Sequence, residues 1–366
     1  MKLAIIGAST GQLPICQKAK ELGHETFCFA WPKGAVCKEF VDHFYPISIL
    51  EADEIAAKCQ ELGIDGVVSN ASDLTAEVVA YVAGKLGLNA TPYDKLIKSR
   101  DKFYVRELCK GIENLYMPAY YKYEGTDEGL YPCVVKPCEG SAKKGVSYVT
   151  SHDEFKKAID YAEYPKNHDI LVEEYIDGKE LSVESISFHN NHQVIQITDK
   201  DSSGAPHFVE LGHHQPALLS LEVHETVLCV IPKILDRIGY TNGASHIELK
   251  YNERGLYLIE ANLRGGGDEI SNRLTTMSSG LDYLRCMIDV SLNQFIEPVR
   301  IGAQYYSGIY YLCKQTENLL PAFLKSKGQS WCIDSKITST NLQESHSNYE
   351  RNGYLIYKAS KKIVLS

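Results

Sequence analysis

No Cys-x-x-Cys pair occurs in this 366-residue chain, although it holds 11 cysteines. Scattered thiols in odd number supply neither a disulfide framework nor a zinc motif, so they read as reduced, mostly structural residues of a reducing compartment. There is no block of like charge, and the net charge is −9, which argues against nucleic-acid binding through a general basic surface. No apolar run is long enough to span a membrane, and the opening Met1-Lys2-Leu3-Ala4-Ile5-Ile6-Gly7 is too short for a signal peptide. A cytoplasmic protein with no membrane partner is expected. Internal repeats and low-complexity tracts are also missing.

What remains is the composition of an ordinary globular protein, 44% hydrophobic and 23% charged, long enough for two or three domains. Strands at Leu3–Ile6, Thr26–Ala30 and Gly66–Ser69 alternate with helical stretches at Gln12–Leu22, Ile55–Leu62 and Leu74–Leu86, each helix stopped by a glycine. That order predicts an α/β, Rossmann-like domain with a parallel sheet over residues 1–92. Its first turn, Gly7-Ala8-Ser9-Thr10-Gly11, lacks the full G-x-G-x-x-G of a dinucleotide site and reads as a tight βα turn. A helix N-terminus there still offers a place for an anionic group. Residues 93–295 read as α+β. They hold a charged helical stretch from Lys95 to Lys110, a hairpin over Pro132–Val149, and helices at Asp153–Ala162, Leu221–Ile238 and Gly280–Asn293. Residues 296–366, with strand-like runs at Tyr305–Leu312 and Tyr354–Lys358, predict a small C-terminal β-rich subdomain.

The chemistry is concentrated in a second hairpin, His246–Tyr251 followed by Asn252-Glu253-Arg254-Gly255 and Leu256–Arg264. Pairing Tyr251 with Tyr257 sets Glu248 opposite Glu260, where like charges about 5 Å apart destabilise a sheet. A bound cation removes the conflict. Asn262 falls on the face of Glu260 and adds an oxygen, and such hard donors suit Mg²⁺ or Mn²⁺. Arg264 follows on that face, beside the place where a phosphate would accompany the metal. A solvated acidic hairpin is the competing reading. Upstream, Cys133-Val134-Val135-Lys136-Pro137 is an apolar strand carrying one lysine, whose ammonium needs an anion or a polar cavity. The Gly/Ser/Lys loop after it, Gly140 to Gly145, suits phosphate oxygens through its backbone N–H groups. It is not a P-loop.

In order along the chain, Asp101-Lys102, Val135-Lys136-Pro137 with its loop, Val172-Glu173-Glu174-Tyr175-Ile176, Glu180, Glu248 and Glu260-x-Asn262-x-Arg264 resemble the ATP-grasp superfamily of carboxylate–amine ligases. The resemblance covers nearly the whole chain. It implies a two-lobed α+β nucleotide domain over residues 93–295, with Lys102 and Lys136 on ATP phosphates. Ser141 to Gly145, including Lys144, would be a flap over them. Glu173, Glu174, Tyr175 and Ile176 would line the adenine pocket, and Glu180 would bind ribose. Glu248, Glu260 and Asn262 would hold Mg²⁺, and Arg264 and Lys136 would stabilise the transferred phosphoryl group. Glu260-Ala261-Asn262-Leu263-Arg264-Gly265-Gly266-Gly267-Asp268 is similar to the L-amino-acid-ligase and carbamoyl-phosphate-synthetase-like branch. Phe208-Val209-Glu210-Leu211-Gly212-His213-His214-Gln215-Pro216 resembles a segment bordering the acceptor site in amino-acid ligases. These make His213, Arg264, Gly266 and Gly267 substrate-site candidates, although the glycines read equally as a turn and helix start. The implied activity is ATP- and Mg²⁺-dependent joining of a small carboxylate to an amine through an acyl phosphate. A small-molecule kinase and a silent nucleotide-binding protein are the alternatives, and a homodimer is left open.

Overall fold

The computed structural model describes residues 1–140, 143–163, 169–298 and 305–365. Apolar runs near the N-terminus form β1 (Lys2–Ile6), β2 (Glu25–Phe29), β3 (His43–Tyr45) and β4 (Gly66–Val68), a parallel sheet in the order β3-β2-β1-β4. Helices Leu13–Glu21, Ala52–Leu62 and Asp73–Leu86 connect and cover it. The latter two end on Gly63 and Gly87 at φ of 65° and 67°, the left-handed geometry in which glycine has no Cβ penalty.

The charged stretch expected as one helix from Lys95 to Lys110 is two, Tyr93–Lys98 and Lys102–Cys109. Asp101 breaks it. Its backbone is extended and its carboxylate accepts from the amides of Phe103 (2.8 Å) and Tyr104 (3.1 Å), an N-cap that starts a new helix at Lys102.

Two antiparallel sheets follow. The smaller joins β5 (Tyr120–Lys122), β6 (Cys133–Pro137), β7 (Ser147–Val149) and β8 (Ile170–Glu174) in the order β5-β8-β6-β7. The larger contains β9 (Lys179–Phe188), β10 (Asn191–Ser202), β11 (Glu210–Gln215), β12 (Gly243–Asn252), β13 (Gly255–Asn262), β14 (Tyr306–Leu312), β15 (Cys332–Ile337) and β16 (Gly353–Ala359). Its order is β13-β12-β9-β10-β11-β14-β16-β15, so the C-terminal β-rich segment is hydrogen-bonded into the same sheet through β11 and β14. One face is held by helix Leu221–Ile238. Val227, Val230, Ile231, Ile234 and Leu235 pack there against Leu181, Val183, Ile247 and Leu249. Each such side chain contributes roughly 1.5–3 kcal/mol by leaving water. That leaves the opposite, polar face of β9, β12 and β13 to look across at the small sheet.

The hairpin register holds a correction. Glu248 does face Glu260, but Tyr251 pairs with Leu256, not Tyr257. The turn is tighter by one residue, with Asn252 opposite Gly255, and a bulge at Ile259 restores the count. The bulge places Ile259 and Glu260 both on the cleft side, while Leu256, Leu258 and Ala261 stay in the core.

None of the described helices is long and apolar enough to cross a membrane. All eleven cysteines are free, and nine are buried. Burial pushes the thiols of Cys59 and Cys138 up to about 12, which suits inert packing groups.

Candidate functional site

Between the small and large sheets lies a cleft of about 160 Å³. It opens into a cavity of about 1040 Å³ bordered by the N-terminal domain and the C-terminal segment. Lys144, Lys200, Glu248 and Glu260 line both spaces and mark their junction.

Most of the residues expected to hold a nucleotide line the cleft: Lys102, Lys136, Lys144, Glu173, Glu174, Tyr175, Ile176 and Glu180. Ser141 lies outside the described residues. Gly145 sits in the flap at a φ of 75°, and a Cβ there would lie 2.9 Å from Pro137 Cγ, so the flap bends at a position that excludes a side chain. Tyr175 packs edge-on against Tyr148, at 4.9 Å between ring centroids. Lys250 ties this wall together, donating to the Ile176 carbonyl (3.0 Å) and pairing with Glu180 (3.2 Å).

Lys136 has its anion, and it is Glu173. The two form a buried ion pair, and Glu173 also takes a 3.0 Å bond from Arg106, which is fully buried. The Glu173 carboxylate therefore belongs to a triad on the cleft wall, not to a free adenine-facing acceptor. Burial opposes its ionisation, but Lys136 and Arg106 outweigh that and hold its carboxyl below the usual range. Two cations share one carboxylate, which leaves excess positive charge where a phosphate would lie. Nothing in the sequence singled out Arg106, because a lone arginine in a charged helix gives no sign of burial.

The opposed carboxylates are reconciled by three cations. Lys102 Nζ lies 2.9 Å from Glu260, Lys200 Nζ lies 2.7 Å from Glu248, and His246 Nε2 lies 3.2 Å from Glu248. Burial resists ionisation of Glu248, but Lys200 and His246 hold its carboxyl well below the usual carboxylate range. The facing carboxylates, with Asn262 beside them on the cavity wall, form a hard-oxygen set that fits a divalent cation of the Mg²⁺ class. The sequence does not single out Lys200 or His246 as site residues. The available signal for His246 is period-two polarity: Glu180, Ser182 and Glu184 on β9, and His246, Glu248 and Lys250 on β12, share one face, with Leu181, Val183, Ile247 and Leu249 on the other.

Arg264 reaches the cavity wall but is held by the N-terminal domain. Its Nε lies 2.7 Å from Asp73, the first residue of helix Asp73–Leu86. Two substrate candidates need correction. His213 is fully buried behind the wall, 3.2 Å from Glu210 and 3.7 Å from Asp268, and it is these two carboxylates that face the cavity. Arg351 grips Asp268 through two 2.9 Å bonds and covers the Tyr311 ring at 3.5 Å. Gly266 cannot offer its amide to a substrate, because that N–H donates to Glu184 at 3.0 Å. Gly267 does border the cavity.

Gly266 is a point of close approach. An added Cβ would lie 2.7 Å from His246 Nδ1 and 2.8 Å from Glu184 Oε1. Gly266→Ala should therefore force that pair apart and lower stability by about 1–3 kcal/mol, read as a fall in melting temperature. An unchanged melt would mean that the turn yields without cost.

Comparisons with known proteins bear on the fold and the family. A family model described as "ATP-grasp domain" matches residues 130–272. The ATP-grasp enzyme fsqD of Aspergillus fumigatus is 26% identical over 232 residues, 57% of this chain and 39% of that one. The first three curated relatives are covered over 39%, 29% and 54% of their lengths, so the chain spans about half or less of each. The L-amino acid ligase from Bacillus licheniformis superposes with a TM-score of 0.80 at 21% identity, over 98% of this chain and 93% of that one. The biotin carboxylase domain of the Hydrogenobacter thermophilus 2-oxoglutarate carboxylase, solved with MgADP, ADP and bicarbonate, superposes with a TM-score of 0.73 at 19% identity, over 98% and 86% of the two chains. At these identities the structures establish a shared fold.

Proposed function

We propose, from the premise that this chain is an ATP-grasp protein, that it joins a small carboxylate to an amine at the expense of ATP, releasing ADP and phosphate. The observation that carries the reading is the junction. A cleft with cationic walls and an aromatic side runs directly into a much larger cavity, and the opposed Glu248 and Glu260 stand where the two meet. A nucleotide seated with its base beside Tyr175 and Ile176 directs its terminal phosphate to that junction. A carboxylate in the large cavity can then reach it in line.

Glu248, Glu260 and Asn262 would hold Mg²⁺, which when bound neutralises charge developing on the phosphate oxygens. Lys136, with its positive excess shared with Arg106, binds and orients the phosphates. Lys144 closes over them from the flap. Arg264, fixed by Asp73, supplies charge on the cavity side, where the phosphoryl group is transferred to the substrate carboxylate oxygen and ADP leaves. The amine then attacks the acyl carbon and phosphate departs. Glu210 and Asp268 offer anionic partners for an ammonium on a substrate. Asn348 and Arg351 from the C-terminal segment wall the cavity, limiting the water that would hydrolyse the acyl phosphate.

The test is phosphate release from Mg-ATP with amino acids and small carboxylates added singly and in pairs, with products read by mass spectrometry. Phosphate release that needs a pair, with a product one water lighter than the two combined, is the expected result. ADP with a phosphorylated product and no free phosphate would make the protein a kinase instead.

A further inference from the structure

Glu184 stands out as a fully buried carboxylate that the proposed reaction does not use. Burying a carboxylate is costly unless it is paired and hydrogen-bonded. Glu184 is both: one oxygen bonds His246 Nδ1, and the other accepts the Gly266 amide at 3.0 Å. His246 is itself buried, and its second ring nitrogen lies 3.2 Å from Glu248 Oε1. The sheet register explains the alignment. Glu184 on β9, His246 on β12 and Asn262 on β13 form one cross-strand row, and Ser182, Glu248 and Glu260 form the next row on the same face. A rigid chain thus runs from the Gly266 turn through Glu184 and the imidazole to Glu248. A buried ion pair is weak grounds for stability, since apolar packing often does as well in its place. A carboxylate that must stay opposite another carboxylate, however, needs something to fix its rotamer.

We propose that Glu184 and His246 form a brace that fixes Glu248 opposite Glu260, which makes His246 a positioning residue for the divalent cation. The inference rests on the proposed function, because it assumes that Glu248 and Glu260 hold the metal. Neighbours of metal ligands that orient them in this way typically change metal affinity or activity by roughly 10–100-fold when lost.

The test is Mn²⁺ binding to the full chain with ADP, measured from the free-ion electron paramagnetic resonance signal, together with the Mg²⁺ dependence of phosphate release. His246→Leu should weaken Mn²⁺ binding by roughly 10–100-fold, with turnover recovering at high Mg²⁺. ADP affinity measured in chelator should hold. His246→Gln, which can still hydrogen-bond Glu248, should recover part of the loss, and it serves as the readout if the leucine variant does not fold. Unchanged Mn²⁺ binding in a folded variant would overturn the brace while leaving the function standing. A parent chain that binds no Mn²⁺–ADP would overturn both.

Discussion

Replacing Glu260 with Gln is expected to lower ATP turnover by roughly 10²-fold or more while leaving the fold intact, because electrostatic stabilisation at the transferring phosphoryl group is the main catalytic contribution such a site can make. The fold should tolerate the change for reasons visible in the hairpin. Glu260 is partly exposed, and its 2.9 Å pair with Lys102 lies at the cleft rim, where such pairs contribute little. Its removal also relieves the repulsion from Glu248 directly opposite, so the two effects on stability partly cancel. The proposed metal site has no such compensation. Gln would offer one neutral oxygen where a carboxylate stood, at the point where the cleft and the larger cavity meet. The check is phosphate release at saturating Mg-ATP alongside a thermal melt. Full activity with an unchanged melt would remove Glu260 from the metal site.

That carboxylate pair is legible in the sequence because two departures from the simple register cancel. The turn is one residue shorter than pairing Tyr251 with Tyr257 implies, the bulge at Ile259 adds one back, and the two offset each other at Glu248 and Glu260. Period-two patterning is insensitive to such slips only when they come in pairs, since a single slip would have moved Glu260 to the core face. Local signals served well elsewhere. Helix Leu221–Ile238 has its expected bounds, and the parallel order of the N-terminal sheet follows from alternating strands and glycine-ended helices. What could not be read was partnership between distant segments. Arg106 meets Glu173 across 67 positions, and His246 meets Glu184 across 62. Asp73 meets Arg264 across 191. Each contact depends on which strands become neighbours, and no local pattern encodes that. Long-range packing also decides where His213 and Gly266 lie. A histidine beside a glycine near a proline looks like a site residue, and only the packed sheet shows that Glu210 and Asp268 stand in front of it.

Glu173→Gln should have the largest effect on stability, a loss of about 3–5 kcal/mol, because it leaves Lys136 and Arg106 buried without a counter-charge. Arg106 keeps the Ile259 carbonyl at 2.6 Å, while its Nε and Nη1 have no hydrogen-bond partner among the described residues. Burial already depresses the Lys136 ammonium, and with Glu173 neutral it should fall further toward the uncharged form, which softens the loss without removing it. Urea denaturation of parent and variant measures the difference. Adding Arg106→Met to Glu173→Gln should restore part of the lost stability, since one buried cation then remains instead of two. A double variant no more stable than the single one would show that the cations, not the missing carboxylate, were tolerated all along. If the same excess charge faces phosphate, as proposed, ADP should raise the denaturation midpoint of Glu173→Gln by more than it raises that of the parent. An equal rise in both would separate the triad from nucleotide binding and make it a purely structural cluster beneath the cleft.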